Sequence, residues 1–197
     1  MKRVPNLTGM VSSTVRIEPA DASSQFRSGV HALDDYFARH AVKNDRDGIS
    51  TAYVLRRSEA DSPDWPPVLG YYTLSMAELA SPLAAAVLGR KLPRYPLPVA
   101  LIGRLAVDGR VQGHRVGEKL LLDALGRAFD AATRLGCLGV IVDAKDERAG
   151  RFYAKYDFVE FADEALWPRR MFLAMSTIRE AFENAETPDA RSGLTAS

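Results

Sequence analysis

The stretch RLAVDGRVQGHRVGEKLLLDAL, residues 104–125, constrains the fold of this chain more than any other. An apolar run through Leu105, Ala106 and Val107 stops at Asp108-Gly109, and a loop carrying Gly109, Gly113 and Gly117 follows. Then Val116, Leu120, Leu121, Ala124, Leu125, Ala128, Phe129 and Ala132 recur at helical spacing, which predicts an amphipathic helix ending near Gly136. Residues 138–144, LGVIVDA, are almost entirely apolar, as in a strand buried on both faces. Strand, loop, helix and strand over 99–143 make a βαβ unit. Such a unit has a right-handed crossover and brings its two strands together in parallel.

The remaining segments fit around that unit. TVRIE (14–18), STAYVLRR (50–57) and VLGYYTLSM (68–76) are rich in β-branched or aromatic residues and predict strands. GVHALDDYFARHAVKND (29–45) places Leu33, Tyr36, Phe37 and Ala41 on one face of a helix. RKLPRYPLP (90–98) carries three prolines and predicts an extended basic loop. DERAGRFYAKY (146–156) predicts a short helix, FVEFA (158–162) a strand and RRMFLAMS (169–176) a final strand. The expectation is a single α/β domain over residues 1–180, a mixed central sheet flanked by helices, followed by a polar, frayed tail over 181–197.

Bulk properties exclude several classes. A net charge of +1 means that any nucleic-acid contact must come from a local basic face. Cys137 is the one cysteine, so no disulfide forms within the chain, which fits a reducing, cytoplasmic setting. Its position at the start of an apolar strand predicts a buried, inert thiol. No stretch has the apolar length of a membrane span, and the N-terminus lacks the apolar core of a signal peptide. His31, His40 and His114 are scattered, with no ligand spacing among them or with Cys137, so no metal is expected.

The loop at 109–117 is built for a close approach. Its glycines turn tightly, the following helix offers unpaired first-turn amides, and Arg110, His114 and Arg115 add positive charge. A diphosphate fits such a place. Neither G-x-x-x-x-G-K-[ST] nor G-x-G-x-x-G is present, which removes the P-loop and the dinucleotide fingerprint. An ordinary βα turn uses glycine for the same conformational reason, and on the loop alone both readings stay open.

Gln112 to Gly117 (Q-x-x-R-x-G) resembles the pyrophosphate-binding Q/R-x-x-G-x-G/A signature of the GNAT N-acetyltransferase superfamily, and RFYAKYDF (151–158) resembles its F-Y-x-x-x-G-F element. The two are separated by one helix and one strand, as in that family. Arg115 stands where the family has its middle glycine, and Asp157 where it has the glycine before Phe158. FRSGVHALDDYFARHAVKN (26–44), GYYTLS (70–75) and YPLPVALIGRLAVD (95–108) resemble one branch, the GNAT toxins of toxin–antitoxin pairs. The resemblance covers roughly residues 15–176.

What the resemblance implies is a GNAT fold that acetylates the α-amino group of an aminoacyl-tRNA with acetyl-CoA and so blocks translation. It further implies a ribbon-helix-helix antitoxin as partner, with a homodimer left as an open option. By the same resemblance, the backbone of Leu105, Ala106 and Val107 pairs with the pantetheine arm. Gln112, Gly113, His114, Arg115, Val116 and Gly117 hold the pyrophosphate, and Tyr153 protonates the departing thiolate. Tyr156 is the competing acid, and Phe158 is assigned to the core. No side chain stands out as a general base. An α-amino group titrates near 8 and an adjacent ester lowers that, whereas a lysine amine titrates near 10.4 and has more need of a base.

Lys43, Arg46, Arg90, Lys91, Arg94, Arg104 and Arg110 are the candidate RNA-facing residues, read as a set clustered at the loops flanking the site. Solvated surface charge is the alternative for any one of them. Two further functions stay in competition. One is a GNAT acting on a small amine or a protein N-terminus. The other is a non-catalytic CoA-binding module, motivated by Arg115.

Overall fold

The computed structural model describes residues 14–161 and 166–186. Its centre is one seven-stranded sheet, β1 (Val15–Arg16), β2 (Thr51–Arg56), β3 (Val68–Leu79), β4 (Leu97–Val107), β5 (Gly139–Ala144), β6 (Val159–Glu160) and β7 (Arg169–Ala174), in the order β1-β2-β3-β4-β5-β7-β6. Only β4 and β5 pair in parallel; all other neighbours are antiparallel. The parallel pair is the one the βαβ pattern predicts, and the sheet is mixed as expected.

Helices cover both faces. α5 (Val116–Ala132) buries Val116, Leu120, Leu121, Ala124, Leu125 and Ala128 against β3 and β4. α6 (Glu147–Ala154) and α7 (Met175–Glu186) pack on the same face, where Val140, Val142, Met171 and Leu173 join the cluster. The opposite face carries α1 (Pro19–Ala22), α2 (His31–Arg39) and α3 (Ala41–Arg46), whose Phe37 and Ala41 pack with Phe26, Val54, Tyr71 and Ala106. α4 (Ser81–Leu88) closes a third cluster on Leu79, Val99, Ile141 and Phe172.

Several boundaries differ from those predicted. The segment 29–45 is two helices, broken at His40, whose backbone (φ −121°, ψ −29°) leaves the helical region. Residues 81–88 form α4 where no element was predicted, ending on Gly89 in a left-handed cap (φ 62°). The basic loop shortens because β4 starts at Leu97, paired with Leu79. α5 stops at Ala132 rather than at Gly136, since Thr133, Arg134 and Leu135 turn back on the carbonyls of Phe129 and Ala131. The last strand ends at Ala174, and the chain expected to fray from 181 is helical to Glu186, with Ile178 buried and Phe182 stacked on Phe129 at 5.1 Å. The remainder of the expected tail, 187–197, lies outside the described residues.

One charge sits inside the α5 face. Asp123, 8% exposed, accepts from Thr14 Oγ1 at 2.5 Å, from the Tyr72 hydroxyl, and from Arg127 Nε at 3.0 Å. Arg127 also reaches the Thr14 carbonyl at 3.1 Å and lies over the Tyr53 ring. This network ties β1's entry to β3 and α5. Removing one partner of a buried pair leaves the other charge uncompensated. Asp123→Ala should therefore destabilise the protein by about 3 kcal/mol and lower Tm by roughly 6–12 °C. A thermal melt followed by circular dichroism measures it, and an unchanged Tm would contradict the assignment.

Candidate active site

β4 is paired along its whole length with β3, but with β5 only at Ala100↔Val140, Leu101↔Ile141 and Ile102↔Val142. Immediately after Ile102 the β3–β4 register shifts, from Leu74↔Ile102 to Thr73↔Arg104, so that Gly103 is an extra residue in β4. Such a bulge bends its strand and ends pairing. It also changes which face each residue serves. Ala100 and Ile102 precede it on the α5 face, and Leu105 and Val107 follow it there, while Ala106 joins the α2 face. From Gly103 to Val107 the edge of β4 that would continue the β5 ladder has no β5 partner, although β5 itself runs on to Ala144 against β7. The result is a wedge lined by backbone polar groups, which seek a partner.

The loop after β4 is braced from below. Asp108 is fully buried and accepts from the Arg110 amide (3.0 Å), Arg110 Nε (2.8 Å), Arg110 Nη2 (2.8 Å) and the Arg27 amide (3.0 Å). Burial pushes its carboxyl up, but these hydrogen bonds outweigh that and hold it below the usual carboxylate range. A 3-10 turn over Gly109–Val111 follows. Gln112 Nε2 donates to the carbonyls of Ser28 (3.1 Å) and Val107 (3.3 Å), so its side chain fastens the loop. His114 is exposed, with Nδ1 3.2 Å from the Gln112 carbonyl and its ring edge-on to Trp65 at 5.1 Å. A cavity of about 380 Å³ opens beside the turn, between Arg27, Gly29 and Gly109.

Arg115 occupies the N-cap of α5 with φ 60°, the left-handed conformation that glycine adopts without cost. Arg115 thus takes a backbone conformation that a glycine would adopt freely, at a strain of order 1 kcal/mol. Its side chain is exposed and sits 3.5 Å from Glu118. Gly113 is left-handed as well (φ 87°). The first intrahelical bond of α5 runs from the Lys119 amide to the Arg115 carbonyl at 3.1 Å, so the amides of Val116, Gly117 and Glu118 belong to the first turn, which has no intrahelical acceptors. Val116 itself is core, as are the side chains of Leu105 and Val107 in part and Ala106 almost fully. A Cβ on Gly117 would sit 3.6 Å from Val107 and 3.7 Å from Phe152, in ordinary contact, so what this glycine offers is an uncovered amide.

α6 begins at the same end of the sheet, because β4 and β5 are parallel. Asp146 caps it by accepting from the Ala149 amide at 2.8 Å. Tyr153, 8% exposed, packs between Phe152 and Phe158, and its hydroxyl has no hydrogen-bond partner among the described residues. Burial, and then the charge of Asp143, push its phenol well above the ordinary value near 10. Tyr156 is also buried, with its phenol pushed up to about 12 by burial and then by Glu118. Phe158 is core, as predicted. Asp157 has φ 62°, a left-handed position that Asp tolerates. Cys137 is half-buried, donates to the Gly139 carbonyl at 3.3 Å and has its thiol pushed up by burial.

The seven basic candidates do not gather at the loops beside the wedge. Arg90, Lys91 and Arg94 lie exposed between α4 and β4, at the opposite end of β4 from Val107. Ten residues of strand put them about 34 Å away. Lys43 and Arg46 are exposed on α3, next to Asn44, which bonds the Tyr36 hydroxyl at 3.3 Å. Arg104 follows the bulge on the α2 face, over Tyr36. Arg110 is spent on Asp108 and is a brace of the loop. Sequence reasoning missed that pairing and the Gly103 bulge. The D-x-R spacing of Asp108 and Arg110 was the available signal for the first. Among the described residues, no three His, Cys, Asp or Glu side chains converge to hold a metal, and no helix is long and apolar enough to cross a membrane.

The acetyltransferase (GNAT) family profile matches residues 39–158, and the chain belongs to that family. The tRNA-acetylating toxin of Mycobacterium tuberculosis is 37% identical over 147 residues, spanning 75% of this chain and 84% of that protein. Among solved structures, AtaT complexed with acetyl-methionyl-tRNAfMet is similar at a TM-score of 0.72 and 28% identity, over 86% of this chain and 98% of that one. A tyrosine-to-phenylalanine mutant of AtaT, bound to the C-terminus of its antitoxin AtaR and to acetyl-CoA, is similar at 0.68 and 26% identity, over 86% and 96%.

The Asp108–Arg110 pair yields a pH prediction. A carboxyl held below its unfolded value, near 3.9, contributes stability that is present above that pH and lost as pH falls through the folded value. Arg110→Met removes the two strongest donors, so the carboxyl of Asp108 should rise. The midpoint of acid unfolding, followed by tryptophan fluorescence, should then move to higher pH than in the wild type. An unmoved midpoint would show that the backbone amides alone hold Asp108.

Proposed function

We propose that this protein transfers the acetyl group of acetyl-CoA to the α-amino group of an aminoacyl-tRNA and thereby blocks translation, as the cytoplasmic toxin of a toxin–antitoxin pair. The observation that carries this reading is the wedge at Gly103, where β4 parts from β5, with Tyr153 on the α5 face of the sheet and Arg104 on the α2 face. It is supported by the relatives' names, a tRNA-acetylating toxin and a toxin solved with acetylated methionyl-tRNA. An antitoxin of ribbon-helix-helix type and self-association into a homodimer belong to the same reading.

The residues fit the co-substrate. The exposed backbone edge of Gly103–Val107 suits a pantetheine amide chain, and the first-turn amides of Val116, Gly117 and Glu118 suit a diphosphate. Acetyl-CoA supplies an acyl group activated as a thioester. Gln112 keeps the loop in place through Ser28 and Val107 rather than through its own contact with phosphate. Arg115 adds an exposed cation at the N-terminus of α5, next to the exposed ring of His114.

Tyr153 is the proton donor for a departing thiolate. Its burial keeps the phenol protonated across the physiological range, so the acid form is always ready. No base is needed for an α-amine that is substantially neutral near pH 8. The rate should therefore rise with pH through the amine's titration and show no alkaline limb from Tyr153 below about pH 10. Tyr153→Phe keeps the ring. It should cut turnover by about 10²–10⁴-fold with a near-native Tm, and its expression should no longer arrest growth. Unchanged turnover would transfer the role to Tyr156 or to solvent.

The basic groups on α3 and those before β4 lie on separate elements of the fold. A folded RNA is large enough to meet both. Phosphate contacts release counterions, so affinity for tRNA should fall steeply with salt, by about 0.7–0.9 in log–log slope per phosphate. Reversing the charges of Arg90, Lys91 and Arg94 together should weaken tRNA binding and flatten that slope without altering acetyl-CoA affinity. Equal acetylation of a polyamine and of aminoacyl-tRNA, with no salt dependence, would favour a small-amine acetyltransferase instead.

A further inference from the structure

The arginines around the wedge differ in one respect. Arg110, Arg115, Arg127, Arg169 and Arg170 each face a carboxylate within 3.5 Å. Arg104 has neither an ion pair nor a hydrogen-bond acceptor among the described residues. Its guanidinium lies on the Tyr36 ring instead, with the central carbon 3.5 Å from the ring centroid. That ring is itself immobilised. Tyr36 is 5% exposed, its hydroxyl lies 3.2 Å from Ser50 Oγ and accepts from Asn44 Nδ2, and its ring stacks with Tyr71, whose hydroxyl donates to the Leu33 carbonyl at 2.8 Å.

The bulge is what puts Arg104 there. With strict alternation from Ala100 and Ile102, residue 104 would point at α5; the extra Gly103 sends it to the α2 face, immediately beyond the last β4–β5 pair. A guanidinium stacked on a ring keeps its N–H groups in its own plane, as a fork for a bidentate oxyanion. The position is half-buried and the orientation is fixed before any ligand arrives. Among the described residues, no carboxylate forms an ion pair with it. Phosphate and carboxylate both match this fork. In an aminoacyl-tRNA the α-carboxyl is esterified, so the anion nearest the reacting amine is the phosphate of the terminal nucleotide. Asn44, which bonds the Tyr36 hydroxyl, lies on α3 between Lys43 and Arg46, which offer cations to the next phosphates along the strand.

We propose that Arg104, on its Tyr36 shelf, binds the phosphodiester of the acceptor's 3′-terminal nucleotide and so positions the aminoacyl amine at the wedge. This inference rests on the reading of the acceptor as an aminoacyl-tRNA. Arg104 is a binding and positioning residue, and Tyr36 acts through it.

The test compares a minimal acceptor, an aminoacyl ester of adenosine, with the same ester carrying a 5′-phosphate, in the wild type, Arg104→Gln, Arg104→Lys and Tyr36→Leu. The wild type should prefer the phosphorylated ester in kcat/KM by about 10–100-fold, the range of a charged hydrogen-bonded contact. Arg104→Gln should reduce that preference to near unity, chiefly by lowering kcat/KM for the phosphorylated ester. Arg104→Lys should retain part of the preference, and Tyr36→Leu should lose most of it. With whole tRNA, Arg104→Gln should lower the salt slope by about 0.7, one single-strand phosphate. A persistent preference, or an unchanged slope, in Arg104→Gln overturns the proposal, whatever happens to overall activity. Arg104-dependent acetylation of free amino acids would mean a carboxylate ligand and also overturns it. If the wild type acetylates neither ester nor aminoacyl-tRNA, the acceptor reading itself fails, a result distinct from the loss of phosphate preference alone.

Discussion

The parting of β4 from β5 is the constraint on which the rest of this molecule depends. Two parallel strands with apolar side chains would normally pair along their full common length. Here the extra residue at Gly103 ends the pairing after Ile102↔Val142 and leaves the backbone of Gly103–Val107 without its neighbour. Both crossover helices start just beyond this gap, because each follows one of the two parallel strands. The first turn of α5, the packed phenol of Tyr153 and the loop at Asp108 are therefore neighbours by topology. Gly103 suits the site locally, since a Cβ there would come within 3.2 Å of Thr73 Oγ1.

Electrostatics separate scaffold from function. Asp108 and Arg110 neutralise each other beneath the loop, and Asp123 and Arg127 do the same inside the α5 face. These pairs hold backbone segments together, and their charges are not available to a ligand. Arg104 keeps its charge because its partner is a ring. A distinction between paired and unpaired cations thus says more about where an anion binds than the net charge of +1 does.

Much of this was legible in the sequence. The βαβ unit, the strands at β2 and β3, the loop's glycines and the F-Y element around Tyr153 each carry a local pattern of spacing or composition. The bulge was not legible, because VALIGRLAV is apolar on both faces and a one-residue insertion leaves no break in such a run. The grouping of the basic residues failed for a related reason. Arg90, Lys91 and Arg94 are near Arg104 in sequence, but an 11-residue strand carries them to the other end of the sheet. The helical tail to Glu186 escaped notice because its stability comes from Ile178 and Phe182 packing on distant partners, not from its polar composition.

In the proposed reaction the wedge joins an acetyl donor on one face of the sheet to an aminoacyl-tRNA on the other. Mass spectrometry of the amino acids released from charged tRNA, after incubation with the protein and acetyl-CoA, tests it most directly. Amino acids carrying one acetyl group on the α-nitrogen, in amounts that grow with time, are the expected product. Unmodified amino acids, alongside acetylated polyamine or peptide in the same mixture, would contradict it.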